Sequence, residues 1–209
     1  MANDLYVGSF NLNYKRDKID ITAGGMYSYF DGSHYGRLLW VKHNENIPQD
    51  YEWYDNDADK RDANAFVKAE YRPTDNLSFF GEVQDRYIDY RMKGMDDDAT
   101  DLTNNNYYNF INPKAGLSYR FCNYNEVYAS FGVSNREPLR ADLKESLKKG
   151  ATHSIKSERL YDYEIGYKYD NSVVAFSANF YYLDYKDQLV QTGHLNDTEC
   201  KLQENVTDS

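Results

Sequence analysis

Three groups of residues carry types and spacings that could do chemistry, and each also has a plainer reading. Asp96, Asp97, Asp98 and Asp101 place several carboxylates close together in the chain. A hard cation such as Ca²⁺ takes several oxygen ligands. The glycine and the ligand spacing of an EF-hand are missing, so a solvated acidic loop tip is the stronger expectation and no metal is expected. Trp40, Tyr51, Trp53 and Tyr54 collect aromatic rings in one polar stretch. Such rings can stack on a ligand ring or a sugar, but packing of a loop against its neighbours is favoured. Arg136, Glu137, Arg140 and Asp142 form a short run of mixed charge. The arginines there could hold an anionic ligand. Pairing among the four, which would fix the loop, is the simpler expectation.

Other chemistries find no support. No nucleophile–base pair and no phosphate loop is apparent, and dispersed carboxylates do not make a glycosidase site. The chain does not read as an enzyme, and no cofactor is expected. The net charge of −10 argues against nucleic acid as a partner. Two cysteines, Cys122 and Cys200, fall at opposite ends of the predicted strands, too far apart for a disulfide, so two free thiols are expected. His34, His43, His153 and His194 are scattered through predicted loops with no zinc spacing.

The elements that must position these residues are strands. In Phe110–Phe121, Pro113, Ala115, Leu117, Tyr119 and Phe121 alternate with Lys114, Gly116, Ser118 and Arg120. After the polar turn Cys122–Asn125, Val127, Ala129, Phe131 and Val133 alternate with Tyr128, Ser130, Gly132 and Ser134. Period two with one apolar and one polar face is a β-hairpin. The same unit recurs along the chain. Strands are predicted at Leu5–Lys15, Ile19–Phe30, Ala63–Arg72, Leu77–Arg91, Arg159–Tyr169 and Val173–Val190, with a possible ninth at Lys201–Val206. Turns of three or four residues alternate with long segments, Asp31–Asp62, Met92–Asn109 and Glu137–Glu158, and a shorter loop at Gln191–Glu199. Pro138 is expected to end the sixth strand.

The predicted fold class is all-β, an antiparallel up-and-down meander of eight or nine strands with short turns at one end and long loops at the other. That is the layout of a transmembrane β-barrel wall. No apolar run of eighteen residues is present, so no transmembrane helix is expected, but a barrel strand exposes only alternate residues to lipid. Tyr14, Tyr27, Tyr29, Tyr71, Tyr119, Tyr169 and Tyr182 sit toward strand ends, as an aromatic girdle requires. Lys68, Glu70, Glu82, Gln84, Arg86, Lys114, Arg120, Glu164 and Lys168 fall on the other face. In a dry sandwich core they would be intolerable. They suit a wet lumen or a polar plug. A soluble carbohydrate-binding β-sandwich, with the loop aromatics as its platform, is the weaker alternative.

The hairpin and its surroundings carry more than a pattern. Asn112–Phe121 (NPKAGLSYRF), Val127–Leu143 (VYASFGVSNREPLRADL), Ser157–Tyr169 (SERLYDYEIGYKY), Phe176–Thr198 and Gly24–Val41 resemble the mid-to-late barrel of TonB-dependent outer-membrane receptors. Arg136-Glu137-Pro138 and the run Asp187–Val190 are similar in style to members from the Bacteroidetes. The resemblance covers nearly the whole chain. It implies a barrel of about 22 strands in the Gram-negative outer membrane, facing lipid outside and a plug domain inside. It also implies energised uptake through TonB of a scarce small ligand such as an iron chelate, cobalamin or a glycan. Ligand contact would then fall to Trp40, Tyr51, Trp53, Tyr54, Arg136 and Arg140. Plug contact would fall to Lys68, Glu70, Glu82, Arg86, Lys114, Arg120, Glu164 and Lys168. Residues 1–209 are expected to be one partial barrel domain, with plug, signal peptide and closing strands absent, unable to transport alone. A non-energised porin is the other membrane alternative.

Overall fold

The computed structural model describes residues 2–42, 46–148, 155–171, 173–195 and 201–208. They form one antiparallel nine-stranded sheet in strict chain order and a single short helix. The strands are β1 (Ala2–Arg16), β2 (Ile19–Leu38), β3 (Tyr51–Thr74), β4 (Leu77–Met95), β5 (Asn104–Phe121), β6 (Asn125–Arg136), β7 (Glu158–Asp170), β8 (Ala175–Leu195) and β9 (Lys201–Asp208). Helix α1 (Arg140–Leu147) lies between β6 and β7. Among the described residues there is no second sheet against the apolar face, so the sandwich reading fails.

The register carries one face across the whole sheet. Leu12, Ala23, Val67, Val83 and Pro113 stand opposite one another on successive strands. So do Phe79, Leu117, Ala129, Ile165 and Phe180. This face is apolar yet open to the surroundings: Val67 is 54% and Phe180 72% exposed. On β3 it reads Tyr71, Ala69, Val67, Ala65, Ala63, then Arg61, Asp59, Asp57, Asp55. The apolar band therefore ends abruptly near Ala63, and tyrosines mark its edges at Tyr14, Tyr71 and Tyr119 on the short-turn side and Tyr27 and Tyr182 on the other.

The opposite face is charged, and its charges are ordered. Lys68, Glu82 and Lys114 stand in one cross-strand row, Arg120, Glu126 and Lys168 in another. Opposite signs facing each other support a sheet. Two aromatic rings on this face lie flat over glycines of the next strand, Phe80 over Gly116 and Tyr128 over Gly166. At Gly116 an added Cβ would also stand 2.8 Å from the Ala129 carbonyl oxygen, which is backbone and cannot step aside. Gly116→Val, although better suited to a strand by propensity, is expected to destabilise the sheet by about 1–3 kcal/mol through overpacking. The urea midpoint of the refolded barrel measures it.

Several strands run further than sequence suggested. β2 and β3 keep pairing through most of Asp31–Asp62, leaving only residues 39–50 as their connection. β4 and β5 shorten Met92–Asn109 to residues 96–103. β8 continues through Leu195 into the stretch expected to be loop. Beyond the apolar band β2 and β3 carry mostly polar residues on both faces, so period two fades from their sequence while the backbone ladder continues. Helix α1 was not anticipated either. Tyr51, Trp53 and Tyr54 accordingly lie on β3, and His34 on β2, not in loops.

Candidate functional site

The short-turn half of the polar face is a shallow hollow of about 440 Å³, lined by Lys68, Glu70, Glu82, Lys114, Glu126 and Lys168 among others. Glu70 bonds Arg72 at 2.8 Å and Ser78 at 3.1 Å, and Arg120 bonds Glu126 at 3.2 Å. Lys168 lies 5.0 Å above the Tyr128 ring. This is a wall of polar side chains held by their neighbours. The structure brings together all the expected inward residues on one face, with Arg86 apart from the others, nearer the long-loop end.

At that end the segment 137–148 folds back over the polar face. It acts as a strap across β3, β4 and β5. Leu143 enters a small core made of Ala58, Ile88, Tyr90, Met92, Leu102 and Phe110. Leu102 comes from the β4–β5 connection; the other five occupy the same alternate strand positions as the charged residues below them, so the polar wall turns apolar where the strap covers it. Pro138 follows the end of β6, as expected.

Four sets of polar contacts fasten the strap. Glu137 accepts from Lys60 at 2.8 Å and from Arg86 at 3.1 Å. Arg86 also grips Asp62, with a shortest contact of 2.6 Å. Arg140 donates to Asn56 Oδ1 at 2.6 Å and approaches both ring nitrogens of His34 at 3.0 and 3.1 Å. Lys144 and Lys148 reach Asp96 at 2.5 Å and Asp98 at 3.2 Å. The carboxylate of Asp142 caps the helix by accepting from the Leu139 N–H at 3.1 Å.

These contacts revise two expectations. Arg136, Glu137, Arg140 and Asp142 do not form ion pairs among themselves. Arg136 pairs with Glu158 at 3.1 Å, and the others bond as above, so the loop is fixed by distant strands. The acidic tip is not simply solvated. Asp96 is buried, and its carboxylate and that of Asp98 are engaged by lysines of α1. The carboxylates of Asp96, Asp97 and Asp98 are grouped closely enough to share a cation, and the two ammonium groups already supply positive charge there.

Charge states follow from this packing. Burial alone would raise the Glu137 carboxyl, but the hydrogen bond from Lys60 and the charge of Arg86 outweigh it and hold the group below its ordinary value of 4.5. A carboxyl depressed by folding stabilises the docked strap above its unfolded value, and that support is lost as pH falls through the folded value. Asp142 runs the other way: burial raises it above 3.8, against the Leu139 hydrogen bond. The carboxylate of Asp98 is lowered, first by its bond to Thr100.

Of the remaining expected residues, Trp40 is 78% exposed beside the equally open Leu39, and Trp53 is 56% exposed. The Trp53 indole N–H donates to the Asp97 carbonyl at 3.0 Å, tying β3 to the acidic loop. The Tyr54 ring covers Gly36. Cys122 is an exposed free thiol in the β5–β6 turn. Cys200, His43 and His153 lie outside the described residues. Sequence reasoning missed Lys60, Asp62, Asn56, His34 and Lys144 as members of the strap cluster. Asn56, Lys60 and Asp62 share the parity of Lys68 along β3, and that continuation was the available signal.

A family model described as TonB dependent receptor-like, beta-barrel, matches residues 2–207. No curated protein matches the chain. Among solved structures, the copper transporter OprC is 13% identical and superposes with a TM-score of 0.73 over 99% of this chain and 32% of its own. The FrpB iron transporter from Neisseria meningitidis is 15% identical, with a TM-score of 0.65 over 97% of this chain and 32% of its own. The ferric-catecholate import receptor Fiu from E. coli K12 is 13% identical, with a TM-score of 0.64 over 97% of this chain and 33% of its own. At these identities the likeness is one of fold. The chain spans about a third of the length of each of these structures.

Proposed function

This chain belongs to the TonB-dependent receptor-like β-barrel family, and from that premise we propose that residues 1–209 form part of the wall of an energised uptake receptor in the Gram-negative outer membrane. The observation that carries the reading is the pair of opposed faces. A band of apolar side chains bounded by tyrosines is what lipid requires of a barrel exterior, and an ordered field of Lys, Glu and Arg is what a plugged, wet lumen requires. The long-loop end faces outward. Lys68, Glu70, Glu82, Lys114, Arg120, Glu164 and Lys168 meet the plug, through which TonB draws on the proton-motive force. The chain's part is to bind and shape, with no covalent step.

The cargo is a scarce ligand taken from outside. The relatives' names specify copper, iron and a ferric catecholate, which favours a metal ion or its chelate over cobalamin or a glycan. Trp40, Tyr51 and Trp53 stand exposed near the entrance and suit stacking on a catechol-like ring. Tyr54, Arg136 and Arg140 are engaged within the fold, and their part is to hold the entrance in shape.

The test is accumulation of radiolabelled iron, supplied as a ferric catecholate, by cells producing the receptor, with and without a protonophore. Accumulation that the protonophore abolishes is expected. Accumulation indifferent to it would return the porin reading, and none with iron but some with copper would reassign the cargo.

A further inference from the structure

The strap that covers the polar face is held by contacts of unlike kinds. Three of them join a cation to a carboxylate: Glu137 with Lys60 and Arg86, Lys144 with Asp96, and Lys148 with Asp98. The fourth joins a cation to a base that titrates near neutrality. Arg140 Nη1 stands 3.0 and 3.1 Å from the two ring nitrogens of His34. Only a neutral imidazole can accept from a guanidinium. Among the described residues no carboxylate lies within ion-pair distance of Arg140, and its Nε–H is buried without a hydrogen-bond partner. No carboxylate pairs with either member of this contact to compensate a second positive charge among the described residues.

We propose that the strap is a latch released by protons: neutral His34 accepts the Arg140 hydrogen bond and holds α1 on the polar wall, and protonated His34 repels Arg140 and lets the helix go. The groups around His34 favour this. From β3, directly opposite, comes Asn56, which does not titrate and is itself occupied by Arg140. Asp55 and Asp57 flank that position and alternate to the other face. From α1 come Arg140 and Lys144, both cationic. From the β4–β5 connection comes Asp96, which alone favours the imidazolium, and its carboxylate is held by Lys144 at 2.5 Å. Burial first, then Arg140, the amino terminus at the start of β1 and Lys144, push the His34 imidazole below its ordinary value of 6.5, against the smaller opposing pull of Asp96. A base whose affinity for protons is lowered by docking stabilises the docked state at high pH, and acid favours the undocked one. The release lies below pH 6.5. The Glu137 anchor, whose carboxyl is held below its ordinary value of 4.5, is a separate titration.

The inference goes beyond the uptake reading and is independent of cargo and energy source. It needs only that solvent protons reach this end of the wall. The test uses the full receptor in detergent with Cys122→Ser and Cys200→Ser, and a spin label at Ser146→Cys. Among the described residues Ser146 bonds only its own helix, through the Leu143 carbonyl. Electron paramagnetic resonance spectra are compared at about pH 7.5 and about pH 5, a range in which histidine is the side chain that ordinarily titrates. A several-fold rise in the mobile fraction at the lower pH is expected with His34 present. His34→Gln still accepts a hydrogen bond but does not titrate, and is expected to stay immobilised at both. His34→Lys, permanently cationic, is expected to be mobile at both. A spectrum that does not change with pH in the native background would overturn the proposal, as would a transition that survives His34→Gln. A second label at Val67, on the apolar face, reports whether the wall itself remains folded and in its apolar environment. Failure of the latch is thereby distinguished from failure of the barrel.

Discussion

Arg86→Ala is expected to release the strap more completely than any other single change near it. The guanidinium bonds two carboxylates at once, Asp62 at 2.6 Å and Glu137 at 3.1 Å. Glu137 would keep Lys60, but the Asp62 side chain, 11% exposed, would lose its partner. Breaking a buried pair by removing one member costs about 3–5 kcal/mol, because the remaining charge is left without compensation. Arg86 is itself 26% exposed, which places the cost at the low end, at about 3 kcal/mol. Tryptic cleavage after Lys144 and Lys148 reads it out, since cleavage tracks the open population when closing is fast. The expected acceleration is about a hundredfold. Adding Asp62→Ala to Arg86→Ala should recover part of the loss, because the stranded carboxylate is then gone. A double variant as labile as the single one would mean that Arg86 acts through packing and not through charge.

The second large effect belongs to the other face. Val67→Arg puts a guanidinium at the centre of the apolar band, between Ala23 and Val83. At the midplane of a bilayer such a substitution costs a barrel about 2–4 kcal/mol. The neighbouring Lys68→Arg, one position along and on the polar face, is expected to change little, as surface substitutions do, within about 0.5 kcal/mol. Urea unfolding of the receptor from phospholipid vesicles separates the two. If both substitutions prove neutral, the apolar face does not meet lipid, and the membrane reading falls with it.

The sequence made the sheet legible only where its two faces live in different solvents. Between Val67 and Tyr71 the apolar and charged residues alternate without a slip, and strand, face and partner could all be read. From Asp31 to Leu38 and from Tyr51 to Asp62 both faces are polar, so alternation disappears even though the ladder between β2 and β3 continues. Helix α1 was hidden for a different reason. It is short, half of its residues are charged, and it offers only Leu143 and Leu147 at helical spacing. The site was legible in parts and not as a whole. Arg86 was assigned to the inner face and Glu137 to the loop, but their contact joins positions 51 residues apart. The Arg140–His34 contact spans 106 residues. Such meetings depend on register, which fixes which residues share a level of the sheet, and composition carries no trace of them.

The length of β3 has a geometric consequence. From Tyr51 to Asp62 the strand continues past the end of the apolar band. About twelve residues at roughly 3.3 Å each, leaning about 40° from the barrel axis, rise roughly 30 Å. With the long-loop end outward, the wall stands above the headgroups like a chimney above a roof line. On the uptake reading proposed above, an arriving solute would meet Trp40, 78% exposed, well before it reached the level of the apolar band.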